Sequence, residues 1–207
     1  MGQVQGRPRS YGLWIALAIV VVIILAIGGT YNSLVTLDQA VQAQWAQVEN
    51  QYQRRADLVP NLVATVKGVA NFEKSTYIAV TQARASVGQL SPQVLQNAAN
   101  DPNAMAQFQQ AQDKLGSALS RLLVTVENYP DLKANENFLT LQSQLEGTEN
   151  RISVERRRYN ELAQAFNTKR NTFPTAMIAG IFGSRFNTKA YFQAQPGAQN
   201  APKVNFP

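Results

Sequence analysis

The side chains in this sequence that could do chemistry are few, and most are carboxylates. Glu146, Glu149 and Glu155 recur on one stretch. Inward-facing glutamates of helical bundles can hold a pair of metal ions when a histidine follows three residues on. The 207-residue chain has no histidine and no cysteine. That removes imidazole bases, thiolate nucleophiles, disulfides and the usual ligands of zinc, copper and haem. Arg151 and Glu155, like Arg157 and Glu161, sit four residues apart, the spacing of solvated helix-surface ion pairs worth about 0.3–0.5 kcal/mol each. No spacing or strand-turn context arranges a serine and a lysine as nucleophile and base. The expectation is a protein that is not an enzyme and holds no metal or cofactor.

A second polar group calls for a different reading. Arg54, Arg55, Asp57 and Asn61 occupy neighbouring turns, and Glu127, Asn128 and Asp131 follow from a later hairpin expected at the same, membrane-distal end. The group is either a partly buried network that fixes helix order or a surface on which a partner docks. Nucleic acid is not the expected partner, although the formal charge is +6. Arg7 and Arg9 lie before residue 31, and Arg185, Lys189 and Lys203 lie after residue 173; the stretch between holds 14 basic and 13 acidic residues. The one basic run, Arg156 to Arg158, points its side chains about 100° apart on a helix and makes no phosphate-tracking face.

What must position these residues is read from apolar pattern. Tyr11 to Gly29 contains no charged residue, and at 1.5 Å per residue it reaches about 28 Å, close to the hydrocarbon thickness of a bilayer. A retained anchor is the leading reading. The alternative is a cleaved signal peptide with Arg7 and Arg9 as its basic region. Those two arginines precede the span, whereas the next twenty residues carry Asp38 and Glu49 and no base. The positive-inside bias therefore expects residues 1–10 in the cytoplasm and the bulk of the chain outside.

Beyond the span, apolar residues recur at three and four. Leu34, Leu37, Val41, Trp45, Val48, Tyr52, Ala56 and Val59 draw one stripe; Leu62, Val66, Val69, Tyr77, Val80 and Val87 a second; Met105, Phe108, Leu115, Leu119, Leu122 and Val126 a third. Phe138, Leu141, Leu145, Thr148, Ile152, Glu155, Tyr159, Leu162 and Phe166 form the fourth and most regular. Residues 31–173 thus read as an all-α antiparallel four-helix bundle with coiled-coil-like seams. Asp57 can cap the second helix with Pro60 in its first turn, or the chain can pass through Pro60 as one kinked helix, leaving three. Residues 88–102 read as a loop with room for a short helical turn, and Asn128 to Asp131 as a compact turn.

If successive helices reverse, the fourth returns to the membrane and delivers residues 174–192 near it. Phe173, Met177, Ile178, Ile181 and Phe182 then either cover the open end of the bundle or lie at the headgroups as an interfacial segment. Residues 193–207, with their prolines among Gln, Ala and Asn, read as a disordered end.

Four pieces in order resemble the LemA family of bacterial membrane proteins. They are Tyr52 to Gly68, Glu127 to Lys133, Leu145 to Ile152 with Arg157 to Asn160, and Phe173-Pro174 before Ile178 to Phe182. Ser184 stands where such chains often have an aromatic. The resemblance covers residues 11–192. It implies one N-terminal membrane helix, a helical bundle and a bacterial inner-membrane location, and it supplies no catalytic residues. A magnetosome-associated relative and the company of other envelope proteins suggest an organising role. The expected function is therefore a membrane-anchored scaffold or adaptor whose partners are the bilayer, other membrane or envelope proteins, and a second copy. The alternative is binding of lipid or a small apolar ligand by the bundle and its tail. Alkaline carbonate is expected to leave the full-length chain in the membrane pellet; release into the supernatant contradicts the span.

Overall fold

The computed structural model describes residues 11–69 and 71–194. The expectations for residues 1–10, including Arg7 and Arg9, and for residues 195–207 lie outside these. The regular elements are all helical: α1 (Tyr11–Lys67), α2 (Lys74–Gly88), α3 (Pro92–Asn97), α4 (Pro102–Val126), α5 (Pro130–Lys133), α6 (Glu136–Asn171) and α7 (Thr175–Ile181), then a 3₁₀ turn over Gly183–Phe186. No strand is present among the described residues.

Of the two paths open at Pro60, α1 takes the continuous one. The span and the first bundle helix are one helix of 57 residues, and it continues through Pro60. Asp57 is not a cap; it accepts a hydrogen bond from the Gln53 side chain at 2.8 Å. The helix runs on because its apolar stripe does: Val59, Leu62, Val63 and Val66 are all buried, while Pro60 itself is exposed. Proline has no N–H to give to the carbonyl four residues back, which is that of Ala56. That carbonyl is satisfied from outside, since Nε of Arg84 on α2 donates to it at 2.9 Å. The break comes instead after Lys67, at Gly68 to Glu73. Asn71 there adopts φ +62, a left-handed conformation that asparagine tolerates better than most residues.

The bundle still has four long helical passes, because the lost break at Pro60 is replaced by the one at Gly68. Helix α2 returns beside α1, with Arg84 opposite Ala56 and the Lys67 ammonium 5.1 Å from the Tyr77 ring. Helix α4 rises again, and α6 descends antiparallel to α1, with Gln44 facing Glu155 and Arg55 facing Glu149. The connections are capped from the sequence. Ser91 accepts from Val94 N–H, Asp101 from Asn103 N–H ahead of Pro102, and Asn135 from Phe138 N–H. Each satisfies a backbone donor that the first helical turn leaves open.

The apolar interior is in two parts. The membrane-proximal part holds Leu34, Val41, Trp45, Val48, Phe108, Ile152, Tyr159 and Phe166; the distal part holds Val59, Leu62, Val66, Leu115, Leu122, Val126, Phe138 and Leu145. By contrast, α1 is exposed on every side from Tyr11 to Ala26. None of the described residues covers that surface.

The tail corrects one expectation. Residues 174–186 stay near the start of the bundle, but residues 187–194 turn back and climb along it as an extended strap. Ala190 N–H donates to the Ala99 carbonyl at 2.9 Å, and Gln193 is held by Gln109. The strap is drawn in by Phe192, which is buried against Trp45, Phe108 and Tyr159 at ring separations of 5.8, 6.4 and 5.5 Å.

Replacing Pro60 by alanine is expected to raise stability by about 1–3 kcal/mol, by restoring a helix hydrogen bond. Arg84→Ala should cost about 1–2 kcal/mol in the natural chain and clearly less in the Pro60→Ala background. Equal losses in a double-mutant cycle by urea unfolding would contradict the compensation.

Candidate functional site

The polar group expected at the distal end does not assemble there. Because α1 runs on to Lys67, Arg55 lies at mid-bundle, in the layer between the two halves of the core. Its guanidinium is buried, with Nη1 donating to Glu149 Oε1 at 2.9 Å and Nη2 to both the Gln112 carbonyl and Gln112 Oε1 at 2.8 and 2.7 Å. The Tyr52 ring lies 5.0 Å from it. One cation thus ties α1, α4 and α6 together. Gly116 on α4 fits this layer, since a Cβ there would stand 3.4 Å from Arg55 Nη1.

The other members scatter. Arg54, Asp57 and Asn61 are exposed on α1, and Asp57 turns to its own helix. Glu127 pairs with Lys133 across the α4–α5 turn. Asn128 and Asp131 are exposed, and Asn128 N–H closes the end of α4 on the Thr125 carbonyl. The hydroxyl that does join this end to the rest is that of Tyr129, which donates to the Asn71 carbonyl at 3.0 Å.

A second buried cation was not anticipated. Lys189, on the strap, forms an ion pair with Asp38 of α1, donates to Asn100 Oδ1 at 2.7 Å and lies 4.8 Å from the Phe166 ring. A signal for it existed. Asp38 falls between Leu34 and Val41 on the apolar stripe, where a carboxylate needs a partner.

Three amides clasp the strap by its backbone. Asn167 donates to the Lys189 carbonyl and accepts from Lys189 N–H; Asn160 does the same with Phe192, and Gln109 with Gln193. The Tyr159 hydroxyl donates to the Ala190 carbonyl at 2.9 Å. Burial, with Tyr191 adding to it, pushes the Tyr159 phenol well above its ordinary value, so it remains a proton donor. None of these clasps is visible as a motif, because an amide facing a distant backbone leaves no spacing in the sequence.

The membrane-proximal segment does assemble. Phe173, Met177 and Ile181 are 82, 67 and 76 % exposed; Met177 and Ile181 lie four residues apart along one side of α7, and Phe173 stands in the turn just before it. Ile178, with Thr175 and Ala179, faces inward and is buried. Phe182 is partly exposed and packs on Tyr31 of α1 at 4.8 Å between rings, with Phe186 behind it at 5.5 Å from Tyr31. Gly183 takes φ +57 between α7 and the 3₁₀ turn, a backbone state that side chains with a Cβ rarely adopt. Tyr31 stands twenty residues, or about 30 Å, along α1 from Tyr11. That places the contact at the bundle-side end of the apolar span.

No group of three or more potential metal-ligating side chains occurs among the described residues. Fold and site together define a class: a bundle protein whose first helix is also its membrane span. Residues 44–206 match the LemA family, and the chain belongs to that family. It is 26% identical to the magnetosome protein MamQ 2 of Paramagnetospirillum magneticum over 93% of this chain and 78% of the relative. It is 27% identical to the magnetosome protein MamQ of Magnetospirillum gryphiswaldense over the same shares. Protein LemA of Metamycoplasma hominis is 27% identical over 73% of this chain and 64% of the relative. The chain is therefore a LemA-family membrane protein.

In urea unfolding, Arg55→Ala is expected to lower stability by about 1–3 kcal/mol, because it strands the buried Gln112 side-chain oxygen, whereas the half-exposed Glu149 can turn to water. Asp57→Ala, at the surface, should change it by no more than about 0.5 kcal/mol. The reverse order would return the network to Asp57.

Proposed function

We propose that this protein is a membrane-anchored scaffold or adaptor of the bacterial envelope, without catalytic activity of its own. It sits in the cytoplasmic membrane with its N-terminus in the cytoplasm and its bundle outside, and it presents helical faces to other membrane or envelope proteins and to further copies of itself. The observation that carries this reading is the unbroken α1, which continues from the apolar span into the bundle core. A tether joined through a loop would let the bundle swivel on it; a continuous helix sets its height and makes it turn only with the span. The relatives named for magnetosomes, which are two of those above, support an organising role on a membrane. Val124 and Leu139, large apolar residues exposed in the distal half, are suited to such contacts.

The second reading, binding of lipid or a small apolar ligand, draws on an open groove between α4 and α6. Leu123, Val124, Leu145 and Ile152 line it beside Arg55 and Glu149.

Cross-linking in native membranes is expected to return discrete species containing a second copy or another integral membrane protein. Native mass spectrometry of the detergent-extracted chain distinguishes the two readings. Discrete oligomers without lipid-mass adducts support the scaffold, and a monomer carrying such adducts replaces it with the carrier. Protease added to intact spheroplasts is expected to degrade the bundle; protection until lysis reverses the orientation.

A further inference from the structure

The membrane end of the bundle has two features that its own packing does not use. The first is the outer side of α7 and its approach, where Met177 and Ile181 on the helix and Phe173 in the turn before it stand exposed. Among the described residues, α2, α4 and α6 each leave a single large apolar side chain exposed, at Ile78, Val124 and Leu139, so this group is matched only by the span itself. The second is charge. The last acidic residue of the chain is Glu161, so the return of α6 and the tail carry only cations. Lys169 and Arg170 occupy the last turn of α6, and Arg185 the 3₁₀ turn. Lys189 is neutralised against Asp38; Lys169 and Arg185 are exposed.

These features share one level. Nε of Arg170 donates to the Phe186 carbonyl, and the Arg185 guanidinium lies 5.7 Å from the Phe186 ring and 5.8 Å from that of Tyr31. Tyr31 follows Gly29, the end of the charge-free span, by two residues. The apolar group and the basic residues are therefore held beside the point where α1 leaves the hydrocarbon. A short apolar face flanked by Lys and Arg at that depth matches the acyl–headgroup boundary of a leaflet, and juxtamembrane cations favour anionic lipid.

We propose that α7 and the last turn of α6 form a foot that docks on anionic phospholipid in the leaflet from which α1 emerges. Phe173, Met177 and Ile181 enter the boundary, while Lys169, Arg170 and Arg185 meet headgroup phosphates. The inference rests on the membrane-tether reading and deepens it. One span fixes height, and a second contact beside it fixes the rotation and tilt of the bundle on the membrane.

The absence of cysteine makes the test direct. Full-length chain with a single nitroxide-labelled cysteine at Leu17, Val124, Met177 or Ile181 is reconstituted in nanodiscs of phosphatidylcholine, or of phosphatidylcholine mixed with phosphatidylglycerol. Accessibility to oxygen against a nickel chelate then reports the depth of each label. Expected is a lipid-embedded label at Leu17, a water-exposed one at Val124, and labels at Met177 and Ile181 that become several-fold more lipid-embedded with phosphatidylglycerol. High salt should reverse that gain, and so should Lys169→Gln/Arg185→Gln, whereas Arg185→Lys should retain it. If Met177 and Ile181 remain as water-exposed as Val124 while Leu17 is embedded, the foot is wrong and the tether stands; if Leu17 is water-exposed, the tether itself is wrong. Embedding that ignores phosphatidylglycerol and salt overturns the recognition of anionic lipid.

Discussion

One helix has to satisfy two solvents, and the rest of the structure follows from how it does so. The first part of α1 is apolar all round, as a lone span in lipid requires. From Leu34 onward only every third or fourth residue is buried, the pattern of a helix with one face on a core. No loop marks the change. The same cylinder passes from one regime to the other at Gly29 to Tyr31, where the aromatic contact with Phe182 and Phe186 is made. Because α1 also carries the floor of both halves of the core, α2, α6 and α7 pack on it directly and the remaining helices are positioned through them. Pro60 is the weak point of α1, and α2 repairs it by supplying the Arg84 donor to the Ala56 carbonyl.

Two buried cations link the packing across helices. Arg55 and Lys189 are both more than nine-tenths buried, and a desolvated charge is tolerated only where partners surround it. Arg55 has a carboxylate, a side-chain amide and a backbone carbonyl from two other helices. Lys189 has a carboxylate, an amide oxygen and an aromatic face. These contacts are directional, whereas the apolar seams are tolerant of sliding. They set the register of α4 and α6 on α1 and the path of the strap. The amide clasps of Asn160, Asn167 and Gln109 act in the same way, gripping backbone rather than side chains, so an extended segment lies in a helical groove without unpaired donors.

The chain is polarised along its length. Apolar and basic surface gathers where α1 meets the bilayer, whereas the bundle away from it is close to neutral. The buried tyrosines whose phenols burial pushes upward are Tyr52, packed on Phe108 and beside Arg55, and Tyr159, which donates to the Ala190 carbonyl.

The sequence by itself determined the helices and their faces. The stripes from Leu34, Met105 and Phe138 are buried nearly residue for residue, and the charge-free span stands out by length alone. These features were legible because helix period and span length are local properties, each set by residues within a turn or two of one another. Tertiary structure decided the rest. Asp57 and Pro60 looked like a helix start because locally they make one. The stripe that buries Val59 to Val66 on both sides of the proline, and an arginine 28 residues away, outweighed that preference. Arg55 found Glu149 and Gln112 instead of its sequence neighbours, and Lys189 found Asp38, because a buried charge seeks whichever partner the packing brings within about 3 Å. Distance along the chain carries no record of that choice; only the folded arrangement of helices does.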